Sequence, residues 1–433
     1  MGFVGRKPTN APLTSDDIPN GIIGAADLAT GLSKLTFVTT VKTSGFTAVA
    51  NEGYFCNTTS AAFTVTLPAT PSAGDQIQLV DYAGTFDTNA LTISPNGGKI
   101  QGSTNSHTLN GEREGARLVY IDATQGWLAY SGINEGTDAL TIPPYTVDFL
   151  VIAGGGAGGN NYGYSGNSGG AGGAGGYRNS YSTETSGGGG SSEASLSFNV
   201  GTVYTVTVGA GAGTNSTNNA QGGNGNNSEI SGTGITTITS TGGGGGGGTD
   251  ANAGANGGSG GGSCNNGAVG NGTANQGYNG GGSTGDGGGG GGGASAVGTT
   301  STTNTGGNGG AGLSSSITGS SVTRGGGGGG SGAGAGGGGG TKGTGGTGGG
   351  GDGAQSPSTS ATAGTINTGG GGGGGNADDS ISAGGAGGKG VVILRMPDAN
   401  YSGTTTGSPT VNQNVGGTGE TVIIFNDSGS ITG

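Results

Sequence analysis

The chain has 433 residues, of which 28% are hydrophobic and 8% charged, with a net charge of −12. This length suggests two or three domains, and the shortage of apolar residues demands small cores built from strands. The negative charge disfavours nucleic acid and anionic membranes as partners, and without a run of 18 apolar residues no membrane insertion is expected.

Residues 1–36 are polar and punctuated by proline. Met1-Gly-Phe-Val-Gly-Arg-Lys-Pro8 lacks the apolar stretch of a secretory signal, and Arg6 stands where a myristoylation site has Ser or Thr. Leu13-Thr-Ser-Asp-Asp-Ile-Pro-Asn-Gly-Ile-Ile23 has extended and turn character, and residues 25–29 allow one short helical turn. The segment is a floppy terminus or an arm that orders against a partner. In the second case its apolar anchors are Phe3, Val4, Leu13, Ile18, Ile22 and Ile23.

Residues 37–133 read as a small antiparallel β-sandwich or barrel. Candidate strands are 34–41, 53–56, 63–67, 76–80, 91–94, 117–122 and 127–130, separated by turn signals at 71–74, 96–97, 110–111 and 124–126. Short strands at such spacing are the mark of an all-β domain. Trp127 alternates with sheet residues and is expected in the core. Residues 134–145 form a linker.

Of the 119 glycines, 95 lie between Gly154 and Gly390, two-fifths of that stretch. Glycine loses more conformational freedom on folding than any other residue, so a flexible linker is the default reading. Strand-like sequence argues for order: Leu196-Ser-Phe-Asn-Val200, Thr202-Val-Tyr-Thr-Val-Thr-Val208 and Gly234-Ile-Thr-Thr-Ile-Thr-Ser240. Apolar runs also bracket the stretch, at Val147–Ile152 and Val391–Leu394, and look paired. Collagen fails for want of a Gly-X-Y register, with Pro357 the only proline inside. Near-pure glycine blocks at 242–248, 287–293, 325–330, 336–340 and 369–375 suit threefold extended helices lying side by side. At roughly 3.1 Å per residue, seven glycines span about 22 Å. The domain runs from 146 to 398. Residues 399–433, with strand-like 420–425 and 429–432, are expected to pair near Val147 or Thr202 and close the sandwich.

The order Val147-Asp-Phe-Leu-Val-Ile-Ala-Gly-Gly-Gly156, then Gly201-Thr-Val-Tyr-Thr-Val-Thr-Val-Gly209, then Gly222-Gly-Asn-Gly-Asn-Asn-Ser228, resembles the glycine-rich domain of phage tail-fibre and adhesin proteins. In composition it is similar to the distal adhesin of T-even-like long tail fibres. That resemblance covers about half the chain. It implies a polyglycine-helix sandwich whose loops at one end bind a host cell-surface receptor, either a glycan or an outer-membrane protein. The 13–23 phrase resembles N-terminal segments of marine phage structural proteins, which implies a virion-docking arm and other phage tail or baseplate proteins as partners. The expected assembly is a homotrimer in the virion tail fibre, extracellular after host lysis. A capsid decoration or head-fibre protein is the alternative.

Catalysis has little to work with. His107 is the only histidine and is expected on a surface hairpin. Cys56 and Cys264 lie in different expected domains and cannot make a zinc site without histidine partners. No enzyme activity, cofactor or metal is expected. The apparent phosphate-loop matches lack a following helix, and Gly222-Gly-Asn-Gly-Asn-Asn227 occurs once, with Asn227 where a calcium-roll ligand would be Asp. Recognition by loops remains, and Tyr and Asn are the residues that loop binders favour. The candidate receptor contacts are Asn160, Asn161, Tyr162, Tyr164, Tyr177, Asn265, Asn266, Asn275, Tyr278, Asn304, Asp378 and Asp379.

Overall fold

The computed structural model describes residues 35–133, 142–161, 168–249, 252–332, 340–355, 358–376 and 383–433. The chain separates into two compact units, dividing between Pro143 and Pro144. The secondary structure is nearly all β, without an α-helix among the described residues. The arm residues Phe3, Val4, Leu13, Ile18, Ile22 and Ile23 lie outside the described residues.

In the first unit, nine strands form two sheets. They are β1 (Thr36–Lys42), β2 (Phe46–Thr47), β3 (Glu52–Cys56), β4 (Phe63–Thr66), β5 (Gln76–Asp81), β6 (Leu91–Ser94), β7 (His107–Leu109), β8 (Gly115–Asp122) and β9 (Gly126–Ile133). One sheet has the order β1-β3-β5-β8-β9 and the other β2-β4-β6-β7. The pairing is mixed, where the sequence suggested antiparallel throughout. Strands β1, β3 and β5 are parallel neighbours, as are β2, β4 and β6. From β1 to β6 consecutive strands alternate between the sheets, so three coils stack before β7 pairs back on β6 and β8 and β9 close the unit as a hairpin. The cause lies in the connections, which turn a corner into the other sheet instead of folding back beside the same strand.

The residues facing inward alternate along β5, β6 and β7, as a half-buried sheet requires. Ile77, Leu79, Leu91, Ile93, Leu118 and Trp127 are all buried in one core, and Trp127 meets Tyr120 edge-on at 5.6 Å. His107 is buried too, only 1% exposed, so the expected surface position is wrong. It occupies the inward position of the three-residue β7, between core residues Ile93 and Leu109 in register and sequence.

The second unit has a β-sandwich at one end, here termed the base. Its strands are β10 (Tyr145–Ile152), β11 (Tyr177–Asn179), β12 (Leu196–Phe198), β13 (Val203–Thr207), β14 (Ser228–Ser231), β15 (Ile238–Ser240), β16 (Leu313–Ser315), β17 (Val322–Arg324), β18 (Val391–Pro397), β19 (Thr405–Thr406), β20 (Thr410–Asn412), β21 (Glu420–Phe425) and β22 (Gly429–Thr432). The bracketing runs do pair: β10 lies antiparallel to β18, with Leu150 opposite Ile393. In the C-terminal segment β21 adds to β18 and β22 adds to β13. The sheet β11-β10-β18-β21-β20 buries Phe149, Val151, Leu394 and Phe425 against Tyr204, Val206 and Ile431 of the second sheet. Its other face buries Leu150, Ile152, Ile393 and Val422. Burial on both faces explains why β10 and β18 read as continuous apolar runs rather than alternating ones.

From this base the glycine segments run out and back. Their amides donate in strict threes. Ala153, Gly156 and Gly159 donate to the carbonyls of Gly176, Gly173 and Gly170, at 2.9–3.1 Å. Gly154, Ala157 and Asn160 donate to Asn226, Gly223 and Ala220, and Gly155 and Gly158 to Gly388 and Gly385. A repeat of three is that of an extended threefold helix, which has no internal hydrogen bonds and must bond laterally. Segment 168–176 shows the full pattern. It donates to 241–247, 289–292 and 369–375 and accepts from 153–159, 259–262 and 328–331, so six neighbours surround it.

Side chains are excluded because the backbones touch. A Cβ on Gly291 would stand 1.9 Å from the carbonyl oxygen of Gly172, and one on Gly158 would stand 1.9 Å from that of Gly373. Those separations are far inside contact, so glycine is obligatory there.

Candidate functional site

The hydrogen-bond register fixes the direction of the described glycine segments and hence the end at which their connections lie; of the 336–340 block, residues 336–339 lie outside the described residues. Residues 153–160 lead away from β10 and 168–176 return to β11. Connections 213–220, 264–267, 283–287 and 302–305 therefore gather at the end remote from the sheets, the tip. Turns 273–277, 294–298 and 365–369 lie at the base.

At the tip the turns are tight and polar. Gly267 donates its amide to the carbonyl of Cys264 at 2.8 Å, closing a turn over Asn265 and Asn266. Both have positive φ, 43° and 58°, the requirement of a type I′ turn, which asparagine tolerates better than other non-glycine residues. Thr302 and Thr305 exchange backbone hydrogen bonds at 3.0 and 3.1 Å around Asn304, whose φ is 70°. In the 213–220 turn, Asn215 donates to the carbonyl of Ala220 at 2.8 Å. These anchors leave Thr214, Ser216, Asn218, Asn265, Asn266, Thr302 and Thr303 exposed.

The twelve candidate contacts divide accordingly. Asn265, Asn266 and Asn304 stand at the tip, whereas Asn275 and Tyr278 belong to the base end. Tyr162, Tyr164, Asp378 and Asp379 lie outside the described residues. Three candidates are corrected by burial. Asn160 is fully buried, its amide bonded to Ala220 and its side chain to the Thr217 carbonyl at 3.2 Å. Asn161 is 1% exposed and accepts from the Thr249 hydroxyl at 2.5 Å. Both extend the glycine lattice by one residue and cannot serve as free contacts. Tyr177 is fully buried in β11 among Leu150, Ile152 and Ile317, because it is the first residue of the strand that re-enters the sheet. Burial pushes its phenol far above the usual range.

Sequence reasoning also missed what many asparagines do. The side chain of Asn227 accepts the amide of Gly242, and that of Asn224 accepts the amide of Gly245, both at 2.9 Å. Asn308 likewise accepts the amide of Thr344 at 2.9 Å. The Gly222-Gly-Asn-Gly-Asn-Asn227 phrase is thus a lattice edge, with side-chain carbonyls at a spacing of three standing in for a missing neighbour. That spacing was the available signal.

Cys56 and Cys264 are both buried and unpaired, and burial pushes each thiol up to about 12. Among the described residues no cluster of His, Cys, Asp and Glu gathers that could hold a metal ion. What the tip can do chemically is offer hydroxyls and carboxamides on a stiff frame. No curated protein matches the chain. A family described as a glycine-rich domain matches residues 132–397, more than half of the chain, and the protein belongs to that family.

Proposed function

We propose that this protein is a bacteriophage virion fibre protein, a tail fibre or adhesin, that binds a host cell-surface receptor through the tip of its glycine-rich unit. The N-terminal segment attaches to the virion, three chains assemble, and the tip works outside the cell after host lysis without performing chemistry. One observation carries the reading: short, tightly braced turns from separate parts of the chain converge at one end and expose Ser, Thr and Asn. A rigid frame with polar, variable-length loops places function in the loops, and hydroxyls with carboxamides give adaptable hydrogen bonding to a glycan or a protein loop.

The test is sedimentation of the purified chain with outer-membrane vesicles from a panel of Gram-negative strains. Replacing 302–305 and 264–267 by Gly-Ser stretches of equal length is expected to abolish binding to whichever vesicles bind the parent. Replacing the base turn 294–298 is expected to leave it intact. Binding that ignores the tip replacement, or no binding across the panel, contradicts the reading.

A further inference from the structure

A groove of about 550 Å³ opens at the base of the glycine-rich unit, within the roughly 300–1,000 Å³ typical of small-ligand sites. It forms where β11, the 189–193 segment and the 273–277 turn meet. One wall is the Arg178–Glu193 pair. Arg178 Nε and Nη2 donate to the Glu193 carboxylate at 2.5–3.1 Å, and Nη1 donates to the Thr239 carbonyl at 3.2 Å. With all three guanidinium nitrogens engaged, and the Glu193 carboxylate also accepting from the Ser186 hydroxyl at 3.0 Å, the groove offers no unpaired positive charge to an anion.

The opposite wall carries carboxamides. Gln276 accepts the Thr241 amide on Oε1 at 2.8 Å, which fixes the group and leaves Nε2 as a donor. Asn275 is exposed at the apex of the turn, and its side chain makes no hydrogen bond among the described residues. Ser191, an exposed residue, also lines the groove. A groove lined by a carboxylate, carboxamides and a serine is the complement of a sugar, whose hydroxyls donate and accept at once. Glu193 also lines an adjoining hollow of about 300 Å³ with Leu196, Ile235 and Ile238, an apolar surface for the C–H face of a second ring.

We propose that this groove binds a neutral oligosaccharide lying across Glu193, at the end of the unit opposite the tip turns. This site is independent of any receptor at the tip. Saturation-transfer NMR on the full chain with maltotriose, cellotriose and mannotriose tests it, with 3′-sialyllactose as the anionic counterpart. At least one neutral trisaccharide is expected to bind and sialyllactose to fail. Asn275→Gly keeps the positive φ of 60° that this position adopts, and Gln276→Glu keeps the acceptor for Thr241, so both variants fold. Each is expected to weaken binding about tenfold through one lost hydrogen bond. The double variant Thr302→Gly and Thr303→Gly, at the tip, is expected to leave it unchanged. Failure of all three neutral sugars, indifference to both groove substitutions, or loss through the tip variant overturns the proposal.

Discussion

In residues 35–133 the interior is made of side chains, with Ile77, Leu79, Leu118 and Trp127 sealed between two sheets. Along the described glycine segments between 153 and 390 it is made largely of peptide groups, amides handed to neighbouring segments with almost no side chain between them. The first interior is held by removal of apolar surface from water and tolerates reshaping. The second is held by lateral hydrogen bonds at a backbone separation that a single methyl group violates. The base sandwich joins the two modes within one unit: Ser228 and Ser240 donate hydroxyls to the Ile152 and Val151 carbonyls at 2.8 Å, tying sheet to sheet where the glycine segments begin.

Substitutions sharpen that contrast. Trp127→Ala removes the largest buried side chain of the first unit and is expected to cost about 3–5 kcal/mol in denaturant unfolding of that unit. Gly291→Ala adds only a methyl group, yet its expected cost is about 3 kcal/mol, since backbone must shift to admit it. Its control is Gly213→Ala: a Cβ there meets nothing within 4 Å, and the expected change is within about 0.5 kcal/mol. Equal effects at Gly291 and Gly213 break the comparison. Asn227→Ala leaves the buried Gly242 amide without its acceptor, an expected loss of about 1–2 kcal/mol.

The smallest effect is a pH dependence. Burial raises the Glu184 carboxyl, but donors from Ser315, Ser316 and Asn179 outweigh it and hold the group below its usual 4.5. A folded value below the unfolded one gives stability that is present above about 4.5 and lost as pH falls through the folded value. Glu184 latches the β16–β17 hairpin by accepting the Ser316 amide at 2.7 Å. Glu184→Gln is therefore expected to flatten the acid limb of a melting-temperature profile, and an unchanged acid limb counts against the latch.

Much of this architecture was legible because it depends on local pattern. The runs in β10 and β18, buried on both faces, announced a central pair, and Trp127 sat in phase with its strand. Parallel coiling of β1 to β6 was not legible, since strands alternate with period two in either orientation and the difference lies in how connections turn. His107 and Tyr177 were misplaced for a related reason: each sits in a three-residue strand, too short to show a period. The candidate contacts were chosen by residue type, which cannot tell a tip from a base or an asparagine that braces the lattice from one that faces solvent. Asn160 and Asn161 brace it, Asn265 and Asn266 shape a turn and stay exposed, and only the register separates these cases.

Amide hydrogen exchange of the purified chain, read by mass spectrometry over 153–160, 168–176, 242–248 and 287–293, tests the lattice most directly. The account predicts protection in these segments comparable to that of β10 and β18, because their amides are bonded and buried to the same degree. Exchange at the rate of an unstructured glycine peptide, with β10 and β18 still protected, would contradict it.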